Sequence, residues 1–327
     1  MKNSVTVYQL GEQAILQRLQ AFCPVGVVGD DAAVLQVPEG RSLVVTTDLL
    51  VDGVHFSDQT TTPEDAGWRA AAANLSDLAA MGATPIGITV GLGLPGTRTI
   101  DWLERLYHGM MACLDQSQTP IVGGDVCRSP MTTIAITALG SVHPQQTIQR
   151  SQAQVGDAIV VTGYHGASKA GLDLLLQPEL GAHLSLADRQ ALIKAHQRPQ
   201  PRLDVLPYLN FSRPIAGMDS SDGLADAVVQ ICRASGVGAE IDRHQIPLPP
   251  GLLTFPEAID WALYGGEDFE LVLCLPLESA QTLVQQLGAG AAIVGTITAN
   301  PEVWLLDTIG QHPPVRLTLE RGFQHFG

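Results

Sequence analysis

Short apolar runs and amphipathic stretches alternate along most of this 327-residue chain. Runs rich in Val, Ile and Thr predict buried strands, and they cover residues 85–94, 119–125, 131–142, 157–163, 269–275 and 291–298. Stretches with a helical period predict helices over residues 62–81, 99–114, 167–177, 186–196 and 224–235. This alternation of strands and helices predicts an α/β or α+β fold.

The helix predicted over residues 62–81 has the clearest end signals. Thr62 suits the N-cap, Pro63 suits the first turn, and the acids Glu64 and Asp65 interact favourably with the helix dipole. Gly82 then ends the helix. The Ala-rich middle of this segment predicts close packing against a neighbouring element.

The best candidate for a domain boundary is the polar, turn-rich stretch around residues 145–156. Its composition is typical of a domain boundary, and the chain is long enough for two domains with separate cores. We therefore expect an N-terminal domain of residues 1–148 and a C-terminal domain of residues 149–327.

Composition and charge narrow the class of protein. Hydrophobic residues make up 45% and charged residues 16%, which is typical of a globular protein. No run of 18 apolar residues occurs, and the first residues lack a signal-peptide pattern, so we expect neither a membrane span nor secretion. The net charge of −15 argues against a nucleic-acid partner held through its phosphates.

The cysteines predict a reducing compartment. The five of them include no Cys-x-x-Cys pair, and their odd number does not indicate a disulfide framework. We therefore expect free thiols and a cytoplasmic protein.

One local pattern recurs: an apolar run ends in small residues followed by Asp. It occurs in VVGDD (27–31), VVTTD (44–48), IVGGD (121–125) and AGMDSSD (216–222). Ligands in such folds bind where strands end, so we expect these aspartates at strand ends and close together. Taken one at a time, each could instead be an ordinary loop cap.

Carboxylates gathered in this way need cations. Two of them about 4 Å apart repel by roughly 4 kcal/mol at an effective dielectric near 20. The available ligands are oxygens of Asp, Thr and Ser, which favour Mg²⁺, Mn²⁺ or Ca²⁺ over zinc. An EF-hand pattern beginning at Asp48 fails because Leu50 and Gln59 occupy ligand positions. Mg²⁺ is therefore the better prediction, with substrate phosphates completing its ligand shell.

Other phosphate-binding motifs are absent or weak. The chain has no P-loop, and residues 91–96 match the dinucleotide pattern G-x-G-x-x-G only formally, with Pro95 inside the turn. A second glycine-rich turn, residues 163–171, contains Lys169 and could serve packing alone.

Seven motifs together closely resemble the thiamine-monophosphate kinase family. They are GDDAAV (29–34), TTDLLVDGVHF (46–56), NLSDLAAMGATP (74–85), GGD (123–125), DSSDGL (219–224), GGEDFEL (265–271) and GFQHF (322–326). They occur in the family's order and span nearly the whole chain. This family belongs to the aminoimidazole-ribonucleotide-synthetase-like superfamily, so the resemblance implies a two-domain α/β (α+β) fold without a P-loop, a homodimer, and phosphorylation of thiamine monophosphate by ATP.

The resemblance also implies roles for individual residues. Those expected to hold several Mg²⁺ ions are Asp30, Thr46, Thr47, Asp48, Asp77, Asp125, Asp219 and Asp222. Those expected to contact ATP are Tyr107, Gly124, Asp125, Arg150 and Ser221. Those expected to meet thiamine monophosphate are His55, Glu267 and Phe323. Tyr107 could equally be a core residue, and Arg150 a surface arginine.

The implied reaction needs no strong general base. A phosphate monoester is largely ionised at neutral pH because its second pKa is about 6. We therefore expect direct in-line transfer, with Asp48 and Asp222 acting through Mg²⁺ as the catalytic residues.

Two rival functions remain at this stage. One is a selenophosphate or aminoimidazole-ribonucleotide synthetase, although Cys23 in AFCPVG is a poor match to a reactive-cysteine loop. The other is a non-catalytic ion or nucleotide sensor with the same fold. The intact acidic motifs argue against a sensor.

Overall fold

A computed structural model of the chain describes residues 5–28 and 31–322. The chain divides into two compact units. The first unit comprises Met1–Leu78 and Ala83–Val142, and the second comprises Ala79–Gly82 and His143–Gly327. The domain limits expected from the sequence, residues 1–148 and 149–327, stay a prediction.

The first unit contains a four-stranded sheet. Its strands are β1 (Ser42–Val51), β2 (Thr84–Leu94), β3 (Ile121–Arg128) and β4 (Thr133–Val142). They lie in the order β1-β4-β2-β3, with antiparallel pairs except for the parallel pair of β2 and β3. The helices that begin in this unit are α1 (Val7–Leu10), α2 (Glu12–Leu19), α3 (Pro63–Ala80) and α4 (Ile100–Leu114).

Alternation along β1 gives its sheet two different faces. Thr46, Asp48 and Leu50 are more buried than their neighbours, as a period of two requires when one face is covered. The other face, which we call the outer face, carries Val45 and Leu49 with more than half of each side chain exposed. Such exposed β-branched and aliphatic residues side by side are unusual for a surface that faces water alone.

Two glycines let α3 and α4 pack backbone to backbone. A Cβ placed on Gly67 would lie 1.9 Å from the Leu106 carbonyl oxygen, and one on Gly109 would lie 1.8 Å from the Glu64 carbonyl oxygen. Both distances are far inside van der Waals contact, so only glycine fits. A bidentate pair between the Arg105 guanidinium and the Glu64 carboxylate, at 2.7 and 2.8 Å, ties the same helices together.

The second unit is built on a seven-stranded mixed sheet of order β11-β10-β7-β9-β5-β8-β6. Its strands are β5 (Ala158–Val161), β6 (Ala216–Asp219), β7 (Gly238–Asp242), β8 (Leu271–Leu275), β9 (Ala292–Thr298), β10 (Val303–Leu306) and β11 (Val315–Arg316). Its helices are α5 (Ala167–Leu176), α6 (Leu186–Gln197), α7 (Leu224–Ser235), α8 (Ala258–Tyr264) and α9 (Leu277–Leu287).

Both faces of this second sheet are covered by apolar side chains. Ile159 and Val161 of β5 pack in one core with Ile231 of α7, whereas Val160 packs in another with Leu283 of α9. Burial on both faces explains why the strands are continuous apolar runs rather than alternating ones.

The predicted mixed α/β (α+β) class is confirmed, and α3, α4, α5, α6 and α7 lie within about two residues of their predicted ranges. Helices α1, α2, α8 and α9 and strands β7, β10 and β11 were not predicted. Gly91 and Gly93 lie inside β2, so the formal dinucleotide motif forms no loop. No helix in the part of the chain that the structure describes is long and apolar enough to span a bilayer.

The expectation that Asp48 and Asp125 lie at strand ends is wrong. Asp48 lies within β1 and Asp125 within β3, because the residues that follow them continue to pair across the sheet. Asp219, by contrast, is the last residue of β6, as expected.

The close approach of α3 and α4 gives a stability prediction. Gly109→Ala should lower the free energy of unfolding by about 2–4 kcal/mol, because the new methyl group forces the two backbones apart. The measurement is urea unfolding of wild type and variant. Gly91→Ala is the control, since its new Cβ would lie 3.6 Å from the Ala135 Cβ in ordinary contact. Equal stability of wild type and Gly109→Ala would contradict the packing described.

Candidate active site

In the first unit, β1 and α3 bring together four of the polar side chains noted in the sequence. The Thr46 hydroxyl donates a hydrogen bond to the Asp77 carboxylate. The backbone N–H of Asp48 donates to the Asn74 amide oxygen at 3.2 Å. Asn74 is fully buried, and its side-chain nitrogen donates to the Ala70 carbonyl oxygen at 3.0 Å. Since Asn74 and Asp77 are three residues apart on one helix, they lie on the same side of α3 and face the strand.

Thr47 belongs to the other face of the sheet. Its hydroxyl lies 2.9 Å from the Thr137 hydroxyl on β4, as the alternation of β1 requires. The structure therefore does not place the Thr47 side chain beside Asp77. Asp30 and Phe323 lie outside the described residues.

Asp125 and Gly124 lie at the opposite edge of this sheet from β1. Three strand spacings separate β3 from β1, which amounts to about 14 Å. Asp48 and Asp125 are therefore not brought together within the first unit. A Cβ on Gly124 would lie 2.1 Å from the Val90 carbonyl oxygen, so the close approach of β2 requires glycine there.

A cavity of about 250 Å³ opens beside β3. Gly124, Asp125 and Tyr107 line it, together with apolar residues of α2 and Cys23. Tyr107 is only 4% exposed, and burial raises the pKa of its hydroxyl well above the usual range. Its ring also lies 5.1 Å from that of Phe22, so Tyr107 is both a core residue and part of the cavity wall.

His55 lies just after β1 and is fixed at two atoms. Its Nδ1 accepts a hydrogen bond from the Val51 N–H at 3.1 Å, and its carbonyl oxygen accepts from the Arg69 guanidinium at 3.0 Å. With Nδ1 accepting, the neutral ring carries its proton on Nε2. The nearby Asp52 carboxylate pairs with Arg98 at 2.8 Å.

In the second unit, the DSSDG turn after β6 packs against the GGEDFE segment (residues 265–270). The Ser221 hydroxyl approaches Asp219 Oδ1 at 3.4 Å, and the Ser221 carbonyl oxygen accepts from the Glu267 N–H at 2.7 Å. Ser220 N–H donates to the Glu270 carbonyl oxygen at 2.8 Å. These bonds place Glu267 next to the turn that carries Asp219 and Asp222.

The Arg150 side chain contacts α7 rather than the turn after β6. Its guanidinium donates to Gln230 Oε1 at 2.6 Å, about 9 Å along the helix axis from Leu224. Gln230 in turn donates to Asp226 at 2.6 Å. Burial raises the pKa of the Asp226 carboxyl, while this hydrogen bond and the charge of Arg150 act in the opposite direction.

Two partly buried carboxyl groups of the GGEDFE segment were missed by the sequence reasoning. Asp268 accepts from the N–H groups of Gly166 at 2.6 Å and Ser168 at 2.9 Å, at the start of α5. Burial raises its pKa to about 7, although those two bonds favour the charged form. Burial also raises the pKa of Glu270, against the opposing charge of Arg202. Three acids within four residues, beside two glycines, were the available sequence signal.

The donor set fits Mg²⁺ by its chemistry. The grouped side chains of each unit offer carboxylate and hydroxyl oxygens, which are ligands that hard divalent cations prefer. Among residues 5–28 and 31–322, no set of three or more His, Cys, Asp or Glu side chains is placed to hold a metal ion. Mg²⁺ in proteins is usually bound by only one or two carboxylates, and phosphate oxygens of the substrate complete its ligand shell.

Both halves of the chain match the models of one protein class. Residues 29–142 match the AIR synthase related protein, N-terminal domain, and residues 154–306 match the AIR synthase related protein, C-terminal domain. The chain is thus an AIR synthase related protein by both of its domains.

Individual relatives narrow this class further. Thiamine-monophosphate kinase of Synechococcus elongatus is 54% identical over 328 residues, covering 97% of each chain. The crystal structure of thiamine-monophosphate kinase from Stenotrophomonas maltophilia is 34% identical, with a TM-score of 0.77 over 89% of this chain and 94% of that chain. A structure of AaThiL complexed with AMPPCP and TMP is 29% identical, with a TM-score of 0.76 over 99% of this chain and 100% of that chain. The chain therefore belongs to the thiamine-monophosphate kinase family.

The raised pKa of Asp268 predicts a pH-dependent stability. Its folded value of about 7 lies above the unfolded value of 3.8. The stability that this carboxyl contributes is therefore full below about pH 4 and is lost as the pH rises through about 7. Between about pH 4 and pH 8, wild type should lose on the order of 2–4 kcal/mol relative to Asp268→Asn.

The measurement is urea unfolding of both proteins across that pH range. Glu270 titrates in both proteins, and because its charge also acts on Asp268, the difference reports the two carboxyl groups as an interacting pair. A difference between the two proteins that stays constant with pH would contradict the buried, partly protonated state of Asp268.

Proposed function

We propose that this protein catalyses the ATP-dependent phosphorylation of thiamine monophosphate to thiamine diphosphate. The single observation that carries the proposal is the 54% identity to a thiamine-monophosphate kinase over 97% of both chains. The grouped carboxylate and hydroxyl side chains on β1, α3 and the turn after β6 support it. A phosphotransferase without a P-loop needs such groups to hold metal-bound phosphates.

The metal ligands of the proposal are divided between the two units. Thr46, Asp48 and Asp77 are held by the contacts between β1 and α3. Asp219 and Asp222 are held by the turn after β6. The remaining ligands of the proposal are Asp30, Asp125 and Thr47, of which Thr47 would contribute through its backbone oxygen because its side chain lies on the outer face. When bound, Mg²⁺ neutralises phosphate charge and aligns the donor and acceptor phosphates.

ATP is the proposed occupant of the cavity beside β3. Apolar residues and Tyr107 line its wall, and Gly124 and Asp125 lie on the strand beside it. Because Gly124 has no side chain, the β3 backbone can approach the β2 backbone closely at this point. Ser221 and Arg150 are the further ATP contacts of the proposal, and the planar guanidinium of Arg150 suits phosphate oxygens.

Thiamine monophosphate is proposed to contact His55, Glu267 and Phe323. Glu267 can accept a hydrogen bond from the aminopyrimidine, and Phe323 can stack on that ring. The Nε2–H of His55 is a donor suited to a phosphate oxygen, because Nδ1 already accepts from the backbone.

The proposed mechanism is direct in-line transfer. The acceptor oxygen belongs to a phosphate monoester whose second pKa is about 6, so it is largely deprotonated at neutral pH and needs no strong base. Asp48 and Asp222 are the proposed catalytic carboxylates: they would hold Mg²⁺, which would supply positive charge to offset the phosphates. Protein groups supply position and charge balance rather than a covalent intermediate.

We propose a homodimer in which the outer faces of two first-unit sheets meet. The outer face of β1 carries Leu43, Val45 and Leu49, with exposed fractions of 49, 56 and 52%. β1 and β3 are also the edge strands of this sheet, and proteins normally cover such edges. A second copy of the chain offers the same apolar surface and two more edges.

The proposed compartment is the cytoplasm. All five cysteines are free, and Cys113, Cys232 and Cys274 are buried. Reduced, buried thiols are typical of proteins in a reducing compartment.

The assay of function uses purified protein, ATP, thiamine monophosphate and Mg²⁺. Asp48→Asn and Asp222→Asn should each lower kcat by at least about 100-fold, because each removes a charge that holds the metal. Asp101→Asn, an exposed carboxylate on α4, is the matched control and should keep wild-type turnover. The product is measured as thiamine diphosphate by chromatography.

Each alternative outcome has a distinct meaning. Turnover near the wild-type level in both aspartate variants would refute the metal assignment. ADP formation that requires selenide or a purine precursor would support the rival synthetases. Nucleotide binding without any product would support a sensor.

The proposed dimer has its own test. Val45→Asp should shift the protein from dimer to monomer in sedimentation velocity at micromolar concentration, because it places a charge in the apolar interface. Leu253→Asp is the control, since Leu253 is 67% exposed and lies in the second unit. The proposed interface fails if both variants sediment like wild type, or if wild type is already a monomer.

A further inference from the structure

The GGEDFE segment (residues 265–270) has an unusual backbone. Glu267 and Phe269 have φ values of 67° and 53°, in the left-handed region that residues other than glycine rarely adopt. Only one other non-glycine residue in the part of the chain that the structure describes, Gln118, shares this region. Such strained residues persist where the surrounding structure holds them and cluster at functional sites.

Asp268, between these two residues, attaches the segment to the start of α5. Its Oδ2 accepts from the Gly166 N–H at 2.6 Å and its Oδ1 from the Ser168 N–H at 2.9 Å. Both carboxylate oxygens are therefore engaged with backbone donors at a helix N-terminus. This arrangement fixes the side chain of Asp268 and, through it, the backbone on either side.

Glu270 attaches the same segment to the end of β5. One of its carboxylate oxygens accepts from the Thr162 hydroxyl at 2.6 Å and pairs with the Arg202 guanidinium. A Cβ on Gly163 would lie 2.2 Å from Glu270 Oε1, so the carboxylate lies directly over that glycine. Asp268 and Glu270 thus fix the segment from one side.

Backbone hydrogen bonds fix the segment from the other side. Glu267 N–H donates to the Ser221 carbonyl oxygen at 2.7 Å, and the Glu270 carbonyl oxygen accepts from Ser220 N–H at 2.8 Å. Glu267 is the one residue of the three acids that the proposed function assigns to the substrate. Its place depends on a strained backbone that is held at residues 268 and 270.

We propose that Asp268 is a positioning residue that sets Glu267 for recognition of the aminopyrimidine of thiamine monophosphate. This inference rests on the proposed function. It also assigns a role to the glycine-rich turn of residues 163–171, whose Gly166 and Ser168 supply the two donors. The turn holds the GGEDFE segment in place through these hydrogen bonds and does not act as a phosphate-binding loop.

The test is steady-state kinetics of Asp268→Asn. An asparagine offers one oxygen and one NH₂ group to two N–H donors, so one hydrogen bond is replaced by an opposed pair of donors. The KM for thiamine monophosphate should rise about tenfold, while the KM for ATP and kcat change less than about twofold. Asp173→Asn, a carboxylate on the same helix that pairs with Lys169, is the matched control and should change neither KM.

A double-mutant cycle with Glu267→Gln separates positioning from general loss of structure. If Asp268 acts through Glu267, adding Asp268→Asn to Glu267→Gln should raise the KM for thiamine monophosphate less than about twofold further. The inference would be overturned if the two substitutions raised the KM for thiamine monophosphate independently, so that their effects multiplied in the double variant. It would also be overturned if Asp268→Asn alone left this KM unchanged, or raised the KM for ATP equally.

Thr162→Val is the second variant in case Asp268→Asn does not fold. It is close in shape and removes the hydroxyl that donates to Glu270 and accepts from the Leu271 N–H at 2.8 Å. It should raise the KM for thiamine monophosphate about threefold, with the KM for ATP unchanged, and no change would count against the inference. Wild-type protein without thiamine diphosphate formation would instead refute the proposed function.

Discussion

Repulsion between negative charges is the constraint on which this protein's chemistry depends. The chain has a net charge of −15, and the function that we propose joins two phosphorylated substrates. Phosphates and carboxylates cannot gather unless cations or hydrogen-bond donors offset them. The structure supplies part of that balance with neutral donors, such as the Thr46 hydroxyl on Asp77 and the Ser221 hydroxyl near Asp219. Divalent cations supply the larger part in the mechanism proposed.

The positions of the aspartates bear on how many ions the proposed mechanism would use. Mg²⁺ binds its ligands at about 2.1 Å, whereas Asp48 and Asp125 are on opposite edges of a four-stranded sheet, about 14 Å apart. These two carboxylates cannot share an ion within the first unit. Ions bound separately at such a distance are suited to a long polyanion whose phosphates contact more than one of them. The single compact group of aspartates expected from the motifs is therefore too simple for this unit.

The fold could be predicted from the sequence where one pattern dominated. The helix over residues 63–80 has a cap, a first-turn proline and a terminating glycine, and its limits were predicted well. Strand β1 was harder, because its outer face carries Leu43, Val45 and Leu49 where a sheet packed on one side would carry polar residues. Asp48 therefore looked like the end of an apolar run, when the strand in fact continues to Val51.

The candidate site was predictable as a set of residues but not as an arrangement. Motifs identified the acids, yet sequence alone could not separate those facing substrate from those that support the backbone. In the GGEDFE segment, Asp268 and Glu270 are partly buried against α5 and Arg202. Burying two carboxyl groups is costly unless backbone donors or a cation satisfy them, and here both kinds of partner are present. That cost makes sense if the two groups hold the left-handed residues Glu267 and Phe269 in place. In the proposal, the three acids of this motif thus divide into one for recognition and two for geometry.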